Sequence, residues 1–125
     1  MRMYLAAGVL ALSVSSAFSQ EIPAELKVKL QSAMIQYLDR ITVDGKLNYI
    51  DTKKREVRTV FPANVHPMIL KFGRDYLVCS EFVDESGKNI TADFLVRTIG
   101  DEQRVVQMVV DDRGAIEAAM SKLKD

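Results

Sequence analysis

The chain is predicted to be α+β: an N-terminal helix packed on a curved antiparallel β-meander of about four to five strands, with a short C-terminal helix. Three observations predict this class. Apolar residues recur at three- and four-residue steps after Pro23, short alternating segments divided by Gly and Asp turns fill the middle, and helical spacing returns only near the end. Strands and helices do not alternate along the chain, which argues against a parallel sheet.

Ahead of the first helix, Arg2 and the apolar run Leu5 to Val14, followed by Ala17-Phe18-Ser19, have the charge, length and small residues of a cleavable export signal. The apolar run is shorter than the ~20 residues that span a bilayer. Cleavage would remove 19 of the 125 residues and leave 106, enough for one domain over residues 20–125. The expected location is periplasmic or secreted, with membrane attachment only through an uncleaved signal.

A helix from about Pro23 to Arg40 follows, since proline suits a first helical turn and Glu25 complements its positive end. Leu26, Leu30, Ala33, Met34, Tyr37, Leu38 and Ile41 form one apolar stripe for a core. Asp44-Gly45 turns the chain, and strands are expected at 46–50 and 55–61 around the polar turn Asp51 to Lys54. Pro62 and Pro67 lack donors, so a bend or an edge is expected there before a strand resumes at 68–72.

Strands at 75–83 and 90–98 form a hairpin through Asp84-Glu85-Ser86-Gly87. Setting Phe82 opposite Ile90 aligns Ser80 with Ala92, Val78 with Phe94 and Tyr76 with Val96, which makes one face almost wholly apolar. Pairing Val96 with Val106 on the next strand, Phe94 with Met108 and Ala92 with Val110 extends that face. The first helix is its natural cover. Asp112-Arg113-Gly114 ends the sheet, and Ile116, Ala119, Met120 and Leu123 predict a short amphipathic helix.

This plan resembles cystatin-like and nuclear-transport-factor-2-like domains, in which a helix lies across a curved antiparallel sheet. The resemblance covers most of the chain after the signal and is one of topology. Tyr76-Leu77-Val78-Cys79 and Asp93-Phe94-Leu95-Val96, separated by a turn at Gly87, also look like segments of small exported bacterial proteins without an assigned activity. Neither resemblance carries functional residues to this chain. The Gln-x-Val-x-Gly loop through which cystatins bind proteases is absent from the sequence.

Charge narrows the partners. Arg2 is the one charged residue of the signal, so 17 basic and 17 acidic side chains become 16 and 17 on cleavage, and neither nucleic acid nor an anionic membrane is expected to bind. Cys79 is the only cysteine, which rules out an internal disulfide but leaves a disulfide-linked homodimer open.

The opposite, mixed face holds the candidate interaction surface. It presents Leu77, Cys79 and Glu81, then Thr91, Asp93, Leu95 and Arg97, then Val105, Gln107 and Val109, with His66 on the proline-bounded segment as a further candidate. Glu81, Asp93 and Asp111 suggest a hard-cation site or an acid–base pair, or else solvated carboxylates paired with Arg97 or Arg113, and the absence of EF-hand spacing favours the last. Asp93 beside Cys79 would raise the thiol pKa and weaken it as a nucleophile. His66 has no companions for a metal site, and no cofactor is expected.

The leading expectation is an exported, non-enzymatic binding or interaction module with an unknown protein or small-molecule partner in the envelope. Its premise is the apolar part of the mixed face, which the C-terminal helix would remove from a protein partner by covering it. The competing expectation is an enzyme or ligand-binding protein with a pocket between the first helix and the sheet, where Tyr76 and Ser80 are the reactive candidates.

Overall fold

Pro23, with φ −55° and ψ 141°, is the residue from which the first helix starts, and its carbonyl accepts the Lys27 N–H at 3.0 Å. In the computed structural model, which describes residues 21–123 and only the backbone of residues 65–67, this helix, α1, spans Ala24–Ile41. The expected signal at residues 1–19 lies outside the described residues. Leu30, Met34 and Leu38 are buried, whereas Val28 and Ile35 lie off the stripe and are exposed.

Asp44 and Gly45 both have positive φ, as a two-residue hairpin turn requires, and Val43 and Lys46 exchange both backbone hydrogen bonds across them. Strand β1, Leu47–Asp51, then pairs antiparallel with β2, Glu56–Phe72. β3, Asp75–Asp84, β4, Asn89–Ile99, and β5, Glu102–Val110, continue one five-stranded meander in sequence order. Helix α2, Arg113–Leu123, closes the chain.

The segments expected on either side of the prolines are one strand. β2 runs through Pro62 and Pro67, with register shifts between Pro62 and Asn64 and between Val65 and Ile69. Its pairing to β1 stops at Val60, so both prolines fall where β2 pairs only with β3 and the missing donors are tolerated. The anticipated bend and edge therefore coexist within a continuous element.

The β3–β4 register is the anticipated one: Phe82 faces Ile90, Ser80 faces Ala92, Val78 faces Phe94 and Tyr76 faces Val96. On the inner face Phe94 meets Tyr37 of α1 and Phe82 edge-on, with ring centroids 6.1 and 6.4 Å apart. Leu30, Met34, Val60, Val78, Phe82 and Phe94 expose no surface, so the layer between α1 and the sheet is close-packed.

The β4–β5 register needs a correction. Phe94 pairs with Met108 and Ala92 with Val110, but Val96 pairs with Val105, across a bulge that begins after Leu95. One extra residue on β5 exchanges the faces beyond it. Val105 therefore packs against the core, while Val106, expected inside, is 46% exposed.

Candidate functional site

Helix α2 sits on the outer face of the sheet through Ile116, its one buried residue. Asp111, at φ 55°, redirects the chain at the end of β5, and the Asp112 carboxylate accepts the Ala115 N–H at 3.2 Å in the first helical turn. Lys53, from the β1–β2 turn, pairs with the same carboxylate at 3.0 Å. Ile116 then lies buried against Leu77 and Cys79, surrounded by Leu70, Phe72 and Val109. At the far end, Leu123 methyl carbons lie 3.5 and 3.6 Å from the position a Cβ on Gly73 would occupy, in the β2–β3 turn.

Arg113 fastens the start of α2. Its guanidinium donates to Asp93 Oδ1 at 2.7 Å and to Cys79 Sγ at 3.7 Å, while the Cys79 thiol donates to the same Asp93 oxygen at 3.0 Å. Asp93 is 1% exposed, and its Oδ2 has no hydrogen-bond partner among the described residues. Burial, with the hydrogen bond and charge of Asp93, pushes the Cys79 thiol up to about 12, against a smaller opposing effect of Arg113. A thiol held protonated in this way is a poor nucleophile at neutral pH.

Covering is incomplete. A cavity of about 230 Å³ lies between Phe72, Leu77, Leu95, Gln107 and Val109 on the sheet and Ala115, Ile116 and Ala119 on α2. Its wall has no charged side chain, and Gln107 is its only polar residue. Ala115 and Ala119, both exposed, carry only a methyl group on this side of α2 and leave the space open to solvent.

A second recess, of about 340 Å³, shares Gln107, Val109 and Ala115 and opens between β1 and β5, the two end strands of the sheet. Its polar wall includes Asp51, Lys53, Asp111 and Asp112. These charges are already engaged. Arg58, packed at 5.9 Å over the Tyr49 ring, pairs with Asp51 at 3.1 Å, Asp111 at 3.3 Å and Asp84 at 3.8 Å. The backbone N–H of Lys54, followed by Arg58 and the Lys53 N–H, holds the Asp51 carboxyl below the usual carboxylate range.

Among the candidate interaction residues, Leu77, Cys79 and Asp93 are buried, Glu81 and Leu95 half-buried, and Gln107 exposed. His66 is within β2, and its side chain lies outside the described residues. Leu77, Leu95, Gln107 and Val109 do converge on one cavity, whereas Val105 belongs to the core. Of the three carboxylates considered for a cation, Asp93 pairs with Arg113 and Asp111 with Arg58. Among the described residues no group of three or more His, Cys, Asp or Glu side chains is arranged to hold a metal ion.

Sequence reasoning missed the roles of Arg58, Asp112, Ala115 and Ala119. Asp112 just before a helical run is a recognisable capping signal, and the i, i+4 spacing of the two alanines puts them on one face beside Ile116. Arg58 offered no such signal, because its aspartates come from three separate turns.

No protein-family model matches the chain, and comparisons with curated proteins and solved structures give no match. Among the described residues no helix is long and apolar enough to cross a membrane. The chain is therefore defined by its own architecture: a curved α+β meander with a helix on each face and an apolar cavity under the shorter one.

Proposed function

We propose that the chain is an exported, non-enzymatic binding protein that takes a small ligand between α2 and the outer face of the sheet. The observation that carries this reading is the open cleft of about 230 Å³ between Leu77, Leu95 and Val109 on the sheet and Ala115, Ile116 and Ala119 on α2. Gln107, Ala115 and Ala119 at its edge are exposed, so the space is an open apolar cleft, and a ligand seated there would remove its apolar wall from water. A small ligand is favoured over a protein because α2 already occupies the apolar centre of the face, with Ile116 on Leu77 and Cys79. Export is supported by the pattern of residues 1–19.

A binding role is favoured over catalysis by the state of the nearby reactive groups. The Cys79 thiol is raised to about 12, and Asp93, Asp111 and Asp112 each hold a cation. On the other face, Phe82, Phe94, Leu30 and Met34 fill the layer beneath α1, and the recess of about 440 Å³ at its edge, between α1 and β5, has the polar residues Gln36, Arg40, Glu102 and Arg104 in its wall.

Titration of the purified protein with toluene, followed in methyl NMR spectra, tests the site. Signals of Leu77, Leu95, Val109 and Ile116 are expected to move together while those of Leu30 and Met34 stay fixed. An unchanged spectrum at saturating toluene would exclude this ligand site.

A further inference from the structure

We infer that the ligand is an uncharged molecule with an apolar body about the size of a single substituted ring and one neutral hydrogen-bonding group, the body under α2 and the polar group at Gln107. This inference rests on the binding site proposed above and adds its chemical class. Three features of the cavity carry it.

Size sets the first limit. About 230 Å³ exceeds the ~150 Å³ that accepts benzene but falls below the ~300 Å³ at which pockets for drug-sized ligands begin. A ring with a short substituent fills this apolar space, and a longer chain would extend past it into the adjoining polar recess or water.

Charge sets the second. No ionised side chain lines the cavity, and the neighbouring ones are committed: Asp93 to Arg113, Asp111 to Arg58 and Asp112 to Lys53. An ion drawn under α2 would give up water without gaining a counter-charge, which is strongly unfavourable. Selection against ammonium and carboxylate ligands follows from the wall itself.

Orientation is the third. Gln107 is exposed and lines both the apolar cavity and the adjoining polar recess, so it stands at their junction. Its amide can donate and accept, which suits a hydroxyl, ester or amide and leaves that group partly in water.

The test compares toluene, benzyl alcohol, benzylammonium and phenylacetate at pH 7 by methyl NMR titration, with wild type, Gln107→Ala and Ala119→Leu. Benzyl alcohol and toluene are expected to bind at the Leu77–Leu95 methyls, and both ions at least tenfold more weakly. Gln107→Ala is expected to weaken benzyl alcohol about three- to tenfold, the worth of one hydrogen bond, and to leave toluene unchanged. Ala119→Leu, a substitution that helices tolerate, is expected to abolish binding of both while the protein stays folded; Ala115→Leu serves as the second filling variant.

If either ion binds as tightly as benzyl alcohol, or if Gln107→Ala weakens toluene and benzyl alcohol equally, the assigned ligand class is wrong while the site stands. If toluene and benzyl alcohol bind wild type and both filled variants alike, the site lies elsewhere. If neither neutral probe binds wild type, the proposed function fails together with this inference.

Discussion

Arg113→Met isolates the interaction that fastens α2 to the sheet. The Asp93 side chain is 1% exposed and the Arg113 side chain 40%, with 2.7 Å between guanidinium nitrogen and carboxylate oxygen. Removing one partner of a fully buried pair costs about 3–5 kcal/mol, because a charge is left without compensation. The partial exposure of Arg113 admits water and reduces this to about 2–3 kcal/mol. The Cys79 thiol remains as one donor to Asp93 Oδ1, at 3.0 Å, and prevents a larger loss.

Urea denaturation followed by circular dichroism measures the effect, and at about 4–8 °C per kcal/mol for a domain of this size the melting midpoint is expected to fall by ~8–24 °C. In a double-mutant cycle, Arg113→Met combined with Asp93→Asn is expected to lose less than the sum of the single losses, since the neutral amide no longer needs the cation. A cost below ~0.5 kcal/mol with additive singles, the behaviour of an exposed surface pair, would refute the assignment of a buried anchor.

The bulge on β5 predicts opposite outcomes for neighbours: Val105→Ser is expected to cost more than ~1 kcal/mol and Val106→Ser less than ~0.5, and the reverse order in urea melts would restore the unbulged register. The Arg97 hydrogen bonds, followed by its charge, hold the Asp75 carboxyl below its ordinary 3.8. The folded state therefore binds fewer protons than the unfolded one in this window, so stability is present above pH 3.8, falls below it, and falls less steeply in Asp75→Asn. With its thiol raised from 9.0 to about 12, Cys79 contributes stability below pH 9 that is lost as pH rises toward 12. Its reaction with a disulfide reagent at pH 8 is expected to be far slower in the folded protein than in urea, and equal rates would contradict its burial under α2. Mass spectrometry of the exported protein is expected to show Gln20 at the N-terminus; an intact Met1 in that fraction would contradict cleavage.

The β3–β4 hairpin was legible because alternation ties register to burial: a slip of one residue would send Phe82 and Phe94 into water. The α1 stripe was legible for the same reason, with burial following the spacing of Leu30, Met34 and Leu38. The β5 bulge was not, since Val105-Val106 offers two equivalent side chains and nothing local says which faces inward. Pro62 and Pro67 correctly signalled irregular pairing, but only the short length of β1 shows why one strand can contain both.

At the site, the Cys79–Asp93 pairing followed directly from register, as did its effect on the thiol. The position of α2 did not. Its amphipathic spacing requires an apolar partner without naming one, and the inner face had already been assigned to α1. The cavity was still less accessible, because it depends on how far two alanine methyls stand from Leu77 and Leu95 in space.

Xenon-pressurised crystals offer the most direct measurement of the apolar cleft on which the binding role depends, since xenon settles in apolar pockets and scatters strongly. Xenon density is predicted in the space bounded by Leu77, Leu95, Val109 and Ala119, with α2 in place above it. Density confined to the α1 side of the sheet, or α2 collapsed onto Leu95 with no xenon beneath it, would contradict the account.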